Sequence, residues 1–149
     1  MTTRSRIRAA NLRHRSVAIA VLSSDGRLLV HRRSAAKDVW PGIWDICAGG
    51  VVASGETYAQ AAARELAEEL GIDDAVLEPI GAGQYEDAAV RLIGRCFRIV
   101  HDGPFRFVDG EVAEIRHVTA TELHGLARQA DFVPDSWAMV LPLLPGFGS

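Results

Sequence analysis

The chain has 149 residues, enough for a domain with its own core, and its 48% apolar and 23% charged residues are ordinary for a globular protein. A net charge of −3 gives no overall pull toward nucleic acid, and two cysteines make no disulfide framework. No apolar run approaches the ~20 residues that span a bilayer, so the expectation is a cytoplasmic protein with no nucleic-acid and no membrane partner.

Arg4, Arg6, Arg8, Arg13 and Arg15 make the first fifteen residues basic, either a solvated terminus or a contact for an anionic ligand; no apolar stretch resembling a signal peptide follows them. "SVAIAVLS" (Ser16–Ser23), the pair Asp25-Gly26 and "RLLVHRR" together read as a β-hairpin. "SAAKDVWPGIW", with Pro41 and Gly42, reads as an ordered loop, and "DICAGGVV" as a short buried strand interrupted by glycines.

Thr57 and Gln60 then fit the capping box S/T-x-x-E/Q, which predicts a helix starting at Thr57, and Gly71 is placed to end it in the left-handed conformation. Ala59, Ala63, Leu66 and Leu70 are spaced for an apolar stripe that packs on a sheet. "AVLEPIGAGQYED", "VRLIGRCFRIV" and "EVAEIRHV" read as strands, and "TATELHGLARQ" as a helix behind a cap. A last helix is expected from Pro134-Asp135, limited by Pro142. Interspersed strands and helices imply a mixed sheet between helices, in one domain over residues 1–149.

Within the central helix Glu65, Glu68 and Glu69 fall in an arc of roughly 100°. Such carboxylates repel one another unless solvated or joined by a hard divalent cation, and their spacing does not decide between the two.

The surrounding residues add a pattern. Gly50, Glu56, Arg64-Glu65-Leu66, Glu68-Glu69 and Gly71-Ile72 match all nine specified positions of the Nudix box, so the chain resembles the Nudix hydrolase family from about Leu12 to Leu144. The resemblance implies an α/β chain with the Nudix fold, an α/β/α sandwich around a mixed β-sheet. It also implies hydrolysis of the diphosphate linkage in a nucleoside diphosphate derivative or a related small molecule, with Mg²⁺ or Mn²⁺. Position by position, Glu68 and Glu69 would hold metal, and Glu65 would be a further ligand or the general base. Glu56 would act through its neighbours, Arg64 would orient the acids, and Gly50 would let the backbone come close. Oligomeric state stays open between a monomer and a homodimer.

Outside the box, "HRRSAAKDVWPGIWD" resembles the branch of the family that includes type I isopentenyl-diphosphate isomerase. The isomerase cysteine falls at Gly49 and its metal-binding histidine at Val51, and Val90–Val100 holds no Glu-x-Glu, so the hydrolase reading is the stronger. A binding module without turnover would usually have lost a box carboxylate, and none is lost. Arg32, Arg33 and Lys37 are either phosphate ligands or surface charge. Glu111 and Glu114 are either a further metal carboxylate or ordinary edge-strand charge. Trp40, Trp44 and Tyr85 either stack on a base or pack a loop, and Cys47 and Cys96 are small buried apolar residues.

Overall fold

In chain order the elements are strands β1 (Arg13–Leu22), β2 (Leu28–Arg33), β3 (Trp44–Asp45) and β4 (Ala48–Val51), helix α1 (Tyr58–Leu70), strands β5 (Glu78–Glu86), β6 (Arg91–Val100) and β7 (Val112–Val118), and helices α2 (Ala120–Ala127) and α3 (Pro134–Val140), followed by a 3-10 turn at Leu141–Leu143. The computed structural model describes residues 13–35, 42–88, 91–107 and 112–148.

β1 is apolar on both faces, which suits a strand bonded on both edges. Val17, Ile19 and Val21 enter one core, while Ala20 and Leu22 enter the other. β6 runs parallel to it in register from Arg13 with Arg91 to Leu22 with Val100. β4 lies antiparallel on its other side, pairing Val17 with Gly50 and Ala18 with Gly49. This changes the expected hairpin. The Asp25-Gly26 turn forms, but β1 and β2 share the single register pair Leu22 and Leu28 before β2 leaves for β7 and β3. With β4 taking the rest of that edge and β5 added antiparallel to β6, the result is a seven-stranded mixed sheet.

Each face of the sheet is covered. α1 packs through Ala61, Ala62, Leu66 and Leu70 against Val17, Ile19, Ala48, Phe97 and Ile99. The other face carries Ala20, Val30, Ile46 and Cys96 beneath Leu123, Val140 and Leu144 from the C-terminal helices. This is the α/β/α sandwich expected. Among the described residues no helix is long and apolar enough to cross a membrane.

The ends of α1 form as read. Thr57 Oγ1 accepts the Gln60 N–H at 3.0 Å, the Gln60 side chain accepts the Thr57 N–H at 2.9 Å, and Gly71 stops the helix at φ 69°. α2 opens on the same device, Thr119 with Glu122. "DICAGGVV" divides into β3 and β4, because Asp45 Oδ1 accepts the Cys47 N–H at 3.2 Å and turns the chain locally.

The apolar stripe of α1 is corrected. Ala61 and Ala62 are buried beside Leu66 and Leu70, whereas Ala59 and Ala63 are exposed. An alanine marks either face of a helix, so the spacing selected the wrong pair. The buried face is rotated toward Glu65 and Glu69, which puts carboxylates above β4.

A carboxylate cluster between helix and glycine strand

Two missing side chains let β4 lie close to its neighbours, Gly49 against β1 and Gly50 against α1. A Cβ on Gly49 would collide with the Val17 carbonyl, and one on Gly50 would strike the Glu65 carboxylate. In the space so left, Glu69 Oε2 accepts the Gly49 N–H at 3.2 Å.

Arg64 organises the remaining acids. Its Nε and Nη2 donate to the two oxygens of Glu56 at 2.8 and 2.9 Å, a fork-on-fork pair. Nη2 also donates to the Val51 carbonyl at 3.0 Å. Nη1 is shared by Glu65 at 2.8 Å and Glu68 at 3.4 Å. Glu56 further accepts the Ala53 N–H at 2.9 Å, so the loop before α1 is pinned to the same guanidinium. Hydrogen bonds from Arg64 first, then from Ala53, hold the Glu56 carboxyl down at about 2, and Glu56 in turn raises Arg64 above its usual range.

Three acidic side chains, those of Glu56, Glu65 and Glu68, therefore share one guanidinium, while Glu69 is held by the Gly49 N–H. Their exposure differs: the Glu65 side chain is 13% exposed and that of Glu68 59%. Glu65 is thus the enclosed acid of the pair and Glu68 the exposed one. Among the described residues no three acidic, histidine or cysteine side chains already close around one point. The donor chemistry still fits a hard divalent cation, since oxygens of one helical turn face a strand from which two Cβ atoms are missing.

Other anticipated residues lie elsewhere. Glu114 pairs with Arg116 at 3.0 Å and Arg32 at 3.8 Å, and Arg116 lies over the Trp44 ring at 5.1 Å. Trp44 belongs to the core on the face opposite α1, whereas Ile115 packs toward the α1 face. Strand alternation thus turns Glu114 and Arg32 away from the box acids, and the structure does not bring them together. Arg33 lies 4.0 Å from buried Asp45, a carboxylate partner of its own. Lys37, Trp40 and Glu111 lie outside the described residues. Trp44 is a packing residue, 4% exposed, and Cys47 and Cys96 are buried free thiols. Tyr85 donates to Asp87 at 2.8 Å, and burial, then Asp87, pushes its hydroxyl up to about 12.

A second polar cluster has no counterpart in the sequence reading. Burial, and then the charge of Asp45, pushes the Asp135 carboxyl up to about 6. Burial likewise raises Asp45, against the pull of Arg33, and raises the Cys47 thiol well above its usual range. Asp45 and Asp135 come together only through the docking of α3 on the sheet, and no local pattern announces that.

Residues 12–139 match the NUDIX domain. The chain is 41% identical over 133 residues to an uncharacterized Nudix hydrolase of Pseudomonas aeruginosa, covering 89% of this chain and 79% of that protein. It is 40% identical over 134 residues to the uncharacterized Nudix hydrolase YfcD of Escherichia coli K12, covering 90% and 73%. Among solved structures, a Deinococcus radiodurans crystal structure superposes with a TM-score of 0.71 at 25% identity, covering 82% of this chain and 77% of that one.

Proposed function

The chain belongs to the Nudix hydrolase family, and from that membership we propose that it cleaves the diphosphate linkage of a nucleoside diphosphate derivative or a related small molecule, with Mg²⁺ or Mn²⁺ held by Glu65, Glu68 and Glu69. The observation that carries the proposal is the joint placement of these acids by Arg64 and by the glycine pair of β4.

When bound, a divalent cation neutralises diphosphate oxygens and acidifies a water molecule. The chain's own residues prepare that chemistry. Glu56 and the Val51 carbonyl fix Arg64, so its free edge presents Glu65 and Glu68 at set positions. The Gly49 N–H fixes Glu69. Glu65, the more enclosed of the two helix acids that Arg64 holds, is either a third ligand or the base that takes the proton from water. Gly50 keeps the space beside it open. Glu111 is proposed as the residue to test for a further carboxylate. A cytoplasmic setting, in a monomer or a homodimer, completes the reading.

The test is a hydrolysis screen with Mg²⁺ and Mn²⁺ over dinucleotides, nucleotide sugars, nucleoside triphosphates, coenzyme A and isopentenyl diphosphate, run on wild type and Glu68→Gln. Turnover of one member, lost in the variant, supports the proposal. Turnover that survives in the variant refutes the metal assignment, and silence across the panel with divalent metal still binding points to a binding module.

A further inference from the structure

The register of β4 is fixed to the residue. Gly49 lies against the Val17 carbonyl and Gly50 against the Glu65 carboxylate, and neither place admits a Cβ. A slip one way would bring Ala48 onto the Val17 carbonyl, and a slip the other way would bring Val51 onto Glu65. Either slip also takes the Gly49 N–H away from Glu69 Oε2, its acceptor at 3.2 Å.

The chain reaches this register by changing partners. Trp44 and Asp45 pair with Arg32 and His31 of β2, and Trp44 also bonds to the backbone of Asp131 and Val133 at 3.0 and 2.8 Å. By Ala48 the chain is paired with Ile19 of β1. Ile46 and Cys47 make the crossing, buried and outside both ladders, where an N–H needs another acceptor. Asp45 supplies it: its Oδ1 accepts the Cys47 N–H at 3.2 Å and stands 3.6 Å from Cys47 Sγ. The carboxylate is itself held, by Arg33 Nη1 4.0 Å from Oδ2 and by the Ser136 hydroxyl. Packing alone does not call for a carboxylate at so buried a position.

We propose that Asp45 is a positioning residue for the acidic cluster: its turn delivers β4 to β1 in the register that puts the Gly49 N–H on Glu69 and the bare Cα of Gly50 beside Glu65. Asp45 acts across the sheet, because Cys47 packs in the core under α3 whereas Glu65 and Glu69 meet β4 from α1. The far end of β4 is held separately, by the Val52 N–H on the Arg15 carbonyl at 2.9 Å and by Arg64 on the Val51 carbonyl at 3.0 Å. Loss of Asp45 therefore frees the near end, where Gly49 lies, without dissolving the strand. Only the step from this tie to metal binding rests on the hydrolase reading.

Amide hydrogen exchange of the full chain in EDTA, read residue by residue by NMR, tests the tie with no metal present. Asp45→Ala leaves the Cys47 N–H without its acceptor. Exchange at Gly49 is then expected to rise about 10-fold beyond any change shared by Ile19 and Ile99, which report the sheet as a whole. Asp45→Asn keeps an acceptor and should return Gly49 to its wild-type rate. Val140→Ala, which loosens the same core away from the turn, should give no excess at Gly49. Should Asp45→Ala fail to fold, Ser136→Ala removes only a hydroxyl that holds Asp45 and is expected to show the same excess at about 2-fold. With Mn²⁺ as the probe, calorimetry is expected to give about 10-fold weaker binding in Asp45→Ala and near-wild-type binding in Asp45→Asn and Val140→Ala. No excess at Gly49, an asparagine variant no better than the alanine one, or unchanged Mn²⁺ affinity with a freed Gly49 overturns the proposal. Failure of wild type to bind Mn²⁺ would overturn the metal assignment instead, and the exchange rates would still decide the role of Asp45.

Discussion

The carboxylate of Glu69 accepts the backbone N–H of Gly49 at 3.2 Å, so the helix that carries the acids is tied to the strand beneath it through main chain. A tie of this kind sets the helix height over β4, and it tolerates nothing larger than hydrogen on the neighbouring Cα.

Gly50→Ala tests that dependence directly. The added methyl meets the Glu65 carboxylate, and relief of the overlap is expected to cost about 1–3 kcal/mol of stability. Metal-dependent turnover should fall further than the melting temperature suggests, because Glu65 is the group displaced. Unchanged kinetics and melting would show that Glu65 is not held against this strand.

Glu68→Gln and Glu69→Gln separate function from fold. Each keeps the side-chain shape and removes a charge, and turnover with Mg²⁺ is expected to fall more than about 100-fold. Since Glu68 is 59% exposed, its variant should melt within about 0.5 kcal/mol of wild type. Normal turnover in both variants would remove the metal role.

Arg64→Lys should cost about 10–100-fold in activity, the usual effect of losing a group that orients ligands. An ammonium cannot span Glu56, Glu65 and the Val51 carbonyl as the fork does. The same change releases Glu56 from about 2 toward an ordinary carboxyl. Stability from a depressed acid is present above its unfolded pKa and lost as pH falls through the folded one, so the variant should shed less stability between about pH 4 and 2. Acid unfolding curves that superpose would contradict the pairing.

Asp135→Asn addresses the buried polar cluster, with the opposite sign. A carboxyl raised to about 6 contributes stability below its unfolded pKa and loses it as pH rises through the folded value. Wild type should therefore lose up to about 2–3 kcal/mol from pH 4 to pH 6.5 through this residue, a loss the variant lacks. Thermal melts across that range check it; parallel curves for the two proteins would mean that Asp135 titrates normally.

What the sequence made legible was local. Thr57, Gln60 and Gly71 set the ends of α1 because capping is a matter of neighbouring backbone groups, and the acids with Arg64 were readable because one helical turn brings them together. The face of α1 was not legible, since Ala59, Ala61, Ala62 and Ala63 are alike in hydropathy and only the sheet chooses among them. Nor were the meetings of Arg95 with Tyr58 and Asp45 with Asp135, which are made by strand order and helix docking. Glu114 followed the alternation of β7 to the far face, a parity that a strand boundary shifted by one residue would reverse.

The parallel pairing of β1 with β6 also bears on synthesis. Arg13 pairs with Arg91, and the loop they close contains β4 and the whole of α1. Closing so long a loop is slow and is rewarded only when both strands are present. A chain still emerging from the ribosome has therefore made every box carboxylate before the central strand gains its parallel neighbour. Completion of the sheet beneath α1 is expected to wait for release of β6, so the nascent chain carries the acids, Arg64 and β4 before the core under them is closed.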